Sequence, residues 1–255
     1  KKAAGDQGTA ADETDTVSDP VIYAWFKITL TRYLENVEAS ISGWTYGDTE
    51  QAPSVTFDLE ADPNLSEVQA AEKTYYYSGT TRGGAAYGKG DDDESGEGYG
   101  TTTVPTEAGT YNLIIVIAET MNYAETVLGT GLGDNNPEIE FTITPKLLTD
   151  QVWRDSVRNA YSFEYGSAQA AQFEFRGAEP GDLVPVFYEY VKDGESAGQI
   201  NHPINAGDYT VYASISNMNY CLTQDGGEYG MTVPADYAVA RKTITDSVED
   251  QTVVC

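Results

Sequence analysis

Apolar and polar residues alternate along much of this chain, and a period of two marks its strands. Phe26, Ile28 and Leu30 stand against Lys27 and Thr29, which predicts a half-buried strand after the break at Asp19-Pro20. Thr74 to Thr80 and Val186 to Gly194 are Tyr-rich runs that each end in a Gly-containing turn, the pattern of hairpin arms. Leu113, Ile114, Ile115, Val116 and Ile117 are too apolar together for a strand with one wet face. Tyr209, Val211, Tyr212, Ala213 and Ile215 alternate more mildly. Both runs are expected to be central strands.

These elements recur in order. Glu107-Ala108-Gly109-Thr110-Tyr111 leads into the first central run and Asn205-Ala206-Gly207-Asp208-Tyr209 into the second. The small residues make a turn there, and the Tyr is expected to close a corner where a strand enters the core. Upstream, Trp44-Thr45-Tyr46-Gly47 matches Phe163-Glu164-Tyr165-Gly166, with Gly supplying a positive φ. Downstream, Met121-Asn122-Tyr123 matches Met218-Asn219-Tyr220, where Asn tolerates a left-handed turn and Tyr packs back on the sheet. Phe26-Lys27-Ile28-Thr29 resembles Phe141-Thr142-Ile143-Thr144 and, more weakly, Lys242-Thr243-Ile244-Thr245 preceded by Tyr237-Ala238-Val239, so three closing strands mark three borders.

The corner tyrosines Tyr111 and Tyr209 are 98 residues apart, whereas Tyr46 and Tyr165 are 119 apart. The stretch Arg82 to Gly100 lacks periodicity and has the length of the difference, so it reads as a surface loop inserted in the first copy. The expected organisation is a polar lead-in and border strand over 1–36, a first domain over 37–147 carrying the acidic loop 82–100, a second domain over 148–245, and a tail over 246–255.

Composition sharpens this reading. Tyr (19) outnumbers Phe (7) and Gly (25) is plentiful, which suits sheets with many turns, and 255 residues provide for two domains of ordinary size. The expected class is all-β. With 41 acidic against 14 basic residues the formal charge is -27, a field that repels phosphate backbones and anionic lipid, so no nucleic-acid partner is expected. No apolar run approaches the ~18 residues of a membrane span, and no signal-peptide arrangement stands at the start. Cys221 and Cys255 make no metal-binding pair, although a disulfide between them remains open.

The strand Ile41-Ser42-Gly43-Trp44-Thr45-Tyr46-Gly47, the Ala-Gly-x-Tyr corner, the Asn-Tyr turn and the closing Phe-x-Ile strand together resemble the tandem MBG-type bacterial immunoglobulin-like repeats of cell-surface proteins and adhesins. The resemblance covers roughly residues 37 to 245. It implies two tandem immunoglobulin-like β-sandwiches in an extracellular bacterial protein, on the cell surface or secreted, with neighbouring repeats as partners and no catalytic residues.

Candidate sites lie mainly where the copies differ. Asp91, Asp92, Asp93, Glu94 and Glu97 offer oxygen ligands for calcium but lack EF-hand spacing, so a solvated loop is the competing reading. Tyr75, Tyr76, Tyr77 and Tyr87 offer stacking surface for a host glycan or protein. Alternation puts Tyr75 and Tyr77 on one face and Tyr76 on the other, which favours core packing for part of the run. His202 is the sole histidine and sits in a turn, and no nucleophile elbow, phosphate loop or zinc-protease motif occurs. Lys146 and Lys242, near closing strands, are the candidates for an internal isopeptide. The expected function is a non-enzymatic stalk or spacer with an adhesion role; the alternatives are a binding module using the first copy's loop and an accessory domain of a secreted enzyme.

Overall fold

A computed structural model describes residues 37–88, 98–132 and 136–243, and one six-residue helix interrupts an otherwise all-β chain. The border strand expected at Phe26 to Leu30, the residues Ile244 and Thr245, and Cys255 lie outside the described residues. In the N-terminal half the elements are β1 (Val37–Ser40), β2 (Trp44–Thr45), β3 (Ser54–Phe57), α1 (Leu65–Ala70), β4 (Lys73–Thr81), β5 (Ala86–Tyr87), β6 (Gly109–Ile117), β7 (Thr126–Leu128) and β8 (Ile139–Thr144). A short β9 (Lys146–Leu147) leads to β10 (Thr149–Arg154), β11 (Ala160–Glu164), β12 (Gln172–Arg176), β13 (Val186–Lys192) and β14 (Gly198–Gln199). The chain continues through β15 (Gly207–Ile215), β16 (Tyr220–Cys221), β17 (Thr223–Asp225), β18 (Glu228–Gly230) and β19 (Thr232–Ala240).

The two halves share one topology. Strand order is β2-β8-β6-β4-β5 in the first, with β7 also on β6, and β11-β19-β15-β13-β14 in the second. The short strands β2 and β11 run parallel to the closing strands β8 and β19; the other pairs in both sheets are antiparallel. A separate antiparallel ladder, β1 with β3 and β10 with β12, packs over each sheet.

Alternation fixes which side faces the core. On β6, Tyr111, Leu113, Ile115 and Ile117 are buried, while Ile114 and Val116 on the outer face are half-buried. Against the inner face stand Tyr77 of β4, Phe141 and Ile143 of β8, Leu65 and Val68 of α1, and the ladder residues Val37, Ala39, Val55 and Phe57. On β15 the inward residues are smaller, with Ala213 between Val211 and Ile215, and the ladder supplies rings instead: Trp153 and Phe173 lie 5.0 Å apart. Volume removed from one layer is returned by the other, as close packing requires.

Both expected corners form. The Tyr111 hydroxyl donates to the Glu107 carbonyl (2.8 Å) and that of Tyr209 to the Asn205 carbonyl (3.1 Å), each four residues back. Gly109 is needed for close approach, because a Cβ there would strike the Thr80 carbonyl. Gly47 and Gly166 adopt the expected positive φ, +82° and +85°.

Three expectations change. The insertion begins later than Arg82, since Ala86 and Tyr87 pair with Thr80 and Gly79 as β5, the counterpart of β14 in the second half. The counterpart of Phe141 to Thr144 is Tyr237 to Ala240, as shown by the equivalent pairings of Gly109 with Ile143 and Gly207 with Val239. Helix α1 was not anticipated, although Leu65 and Val68 have the three-residue spacing of one helix face.

Replacing Tyr111 with Phe removes the corner bond and strands the Glu107 carbonyl, at a cost of about 1 kcal/mol. Urea unfolding should show a lower midpoint with an unchanged slope; an unchanged midpoint would mean the corner contributes nothing.

Candidate functional site

The tyrosines suggested by the sequence do not share one surface. Tyr77 is 3% exposed and meets Phe141 edge-on, and Tyr75 packs at the margin of the same core. Tyr87 stands edge-on to Tyr111, with ring centroids 5.5 Å apart, and donates its hydroxyl to the Thr103 carbonyl. Burial pushes the Tyr77 and Tyr87 phenols up from their ordinary range. Tyr76 alone projects to the outer face, where its ring meets Tyr99. Alternation therefore withdraws Tyr77 from any stacking platform and splits the rest. The calcium candidates Asp91, Asp92, Asp93, Glu94 and Glu97 lie outside the described residues, and among the described residues no group of three or more His, Cys, Asp or Glu is placed to hold a metal.

What the fold brings together is the junction between the halves. Trp44, Thr81, Gly109 and Ile143 lie at one level of the first sheet, because Thr81 pairs with Gly109, Gly109 with Ile143, and Ile143 with Trp44. The residues just past that level, Tyr46, Arg82, Ala108 and Lys146, thus gather at one end. The second half meets them with the opposite end of its sheet, where Val186 pairs with Ile215 and Ser214 with Thr232. The sheets follow one another head to tail.

Arg82 crosses the junction. Its Nη1 donates to the carbonyls of Met218 (3.1 Å) and Tyr220 (3.0 Å) and contacts the Met231 Sδ, while Nη2 donates to the Tyr229 carbonyl (2.6 Å). The guanidinium also lies 5.9 Å from the centre of the Tyr229 ring. Tyr229 reaches it on the β17–β18 hairpin. Beside it the Ala108 amide donates to the Asn219 Oδ1 (2.8 Å). The linker strand β9 pairs in parallel with β16, so the connection itself is fixed to the second half.

A second cluster lies around Asp182. Its Oδ2 accepts from the hydroxyls of Tyr46 (2.7 Å) and Tyr220 (2.6 Å), one from each half. The Tyr220 hydroxyl in turn accepts the Glu179 amide, and the Glu179 carboxylate pairs with Lys146. The Tyr220 and Tyr46 hydroxyls hold the Asp182 carboxyl below its ordinary range. Burial, then the bond to Asp182, pushes the Tyr46 phenol up to about 12, and the same causes raise Tyr220. Cys221, beside this cluster, is buried, and burial raises its thiol.

Arg82, Asp182 and Glu179 were not singled out by the sequence. Arg82 stands among only 14 basic residues, and the recurrence of Tyr46 and Tyr220 in repeated turns was the one signal pointing to this end. No protein-family model, curated protein or solved structure matches the chain. Among the described residues no helix is long and apolar enough to cross a membrane.

Arg82→Ala should lower the stability of the second half by about 2 kcal/mol, since it removes charged bonds to carbonyls that then lack this partner. Arg82→Lys should not restore it, for an ammonium lacks the planar fork. Urea titration followed at Trp153 reads both, and a wild-type midpoint for either variant would contradict the assignment.

The junction should also be bounded in pH. The depressed Asp182 carboxyl contributes stability above its unfolded value, lost as pH falls through its lower folded one. The raised Tyr46 phenol contributes stability below its unfolded value, lost as pH rises through about 12. Asp182→Asn should abolish the acid limb in Ala108 amide exchange; an unchanged acid limb would refute it.

Proposed function

We propose that this chain is a non-enzymatic segment of a bacterial cell-surface protein, two immunoglobulin-like β-sandwiches in tandem that act as a stiff spacer and carry an adhesive region outward. The observation that carries this reading is the seating of Arg82 in backbone carbonyls of the next half. A flexible tether needs no such contact; a strut needs its joints fixed.

Several features support the sandwich reading. Each half has a short first strand parallel to its closing strand, a tyrosine corner at the start of its central strand, and a two-stranded ladder over the sheet. The repetition of these features and the resemblance to MBG-type repeats support the surface location. The charge of -27 gives the spacer a self-repelling surface, which limits side-by-side association.

Small-angle scattering should yield an elongated particle with one well-defined separation between its halves, and Arg82→Ala should broaden that separation. A compact particle, or one as variable in the wild type as in the variant, would overturn the strut.

A further inference from the structure

The ladders make it possible to ask, position by position, what the second half presents at the end where the first half makes its joint. Tyr165 corresponds to Tyr46, since their amides donate to the carbonyls of Ala240 and Thr144, the equivalent residues of the two closing strands. Counting from Lys192 opposite Tyr209 and Gly79 opposite Tyr111, Glu195 corresponds to Arg82. Ala206 corresponds to Ala108 and Lys242 to Lys146.

Burial differs as a missing neighbour would make it differ. Ala108 is 1% exposed, whereas Ala206 is half-buried; Tyr46 is half-buried, whereas Tyr165 is 53% exposed. Ile204, just before the second corner, is also exposed. Three of the four joint-forming positions keep their chemistry: a tyrosine hydroxyl, a corner amide and a lysine. The fourth is inverted from guanidinium to carboxylate.

We infer that this end of the second half is a docking face for a further β unit of the same repeat type, and that Glu195 selects a unit built like the first half and rejects one built like the second. The inference rests on the tandem-spacer reading. The second half offers its neighbour the carbonyls of Met218, Tyr220 and Tyr229, the negative ends of dipoles, which suit a guanidinium and repel a carboxylate. The first half offers a different set at the corresponding end. Asn122 matches Asn219, and the Tyr123 hydroxyl donates to Asp62 (2.9 Å) as Tyr220 donates to Asp182. Met121, the counterpart of Met218, is 89% exposed.

Two differences make that end suitable for Glu195. The first half has β7 laid along β6 where the second has the β17–β18 hairpin, so the Tyr229 carbonyl has no counterpart there. Lys73 stands at that end, opposite Ile117, its ammonium on the carbonyls of Gln69 and Ala71. A carboxylate therefore approaches a cation in place of a carbonyl cage. Glu195 itself is held only by an exposed 3.9 Å pair with Lys192, a contact weak enough to exchange.

The test appends a copy of residues 37–147 after Thr243 and follows hydrogen exchange at Ala206 and Gly207, whose peptide remains unique in the extended chain. Docking should slow exchange there about tenfold, and Glu195→Arg in the extended chain should return it to the unextended rate. The duplicated Leu113 to Ile117 peptide, protected as a single population, reports that the added copy is folded. With that copy folded, unchanged exchange at Ala206 overturns the docking face, and slowing that survives Glu195→Arg overturns the selection. If the added copy does not fold, intact chains at millimolar concentration are compared with and without Glu195→Arg, and no difference at Ala206 overturns the proposal. Ala108 exchange in the unextended chain separates the two readings: a protected Ala108 with an unaffected Ala206 removes this inference and leaves the spacer, whereas an unprotected Ala108 removes the spacer.

Discussion

A guanidinium drawn out of water must find acceptors for the N–H groups it brings, and Arg82 finds them on the other half of the chain. The acceptors are backbone carbonyls, fixed by the strands and turns that carry them. The Arg82 side chain therefore cannot keep its bonds while the halves rotate freely. The Asp182 cluster adds a second point of attachment and the β9–β16 pairing a third. Points that do not lie on one line define an orientation, which a single covalent linker does not.

This joint works because each half is closed before it is joined. The corner tyrosines satisfy a carbonyl within their own turn, and the alternating central strand fills a core within its own half. The junction residues lie just beyond the last paired level of the sheet, so they are free to differ between copies without disturbing the core. Tyr and Lys are kept there in both halves, whereas Arg82 and Glu195 are exchanged. Variation at the ends over a constant interior lets a repeat architecture distinguish one neighbour from another.

The features legible in the sequence were local. The corner bond spans four residues, Gly47 and Gly166 act through their own backbone, and the facing of Tyr75 and Tyr77 follows from a period of two. Arg82 was illegible because its partners lie more than a hundred residues away and are mainly main-chain oxygens, which every residue possesses. Asp182 was hidden among 41 acids until folding placed two tyrosines upon it. The start of the insertion was misread because β5 has only two residues, too few for alternation to register. Helix α1 is also short, and the strand pattern around it drew attention away from Leu65 and Val68.

The central claim is that the halves form one rigid body through Arg82 and Asp182. Backbone amide relaxation by NMR tests it most directly, because rotational diffusion is read separately for each half. Residues of both halves should fit a single, strongly anisotropic diffusion tensor whose long axis runs through the junction. Two independent correlation times, each suited to a body of about half the mass, would contradict it.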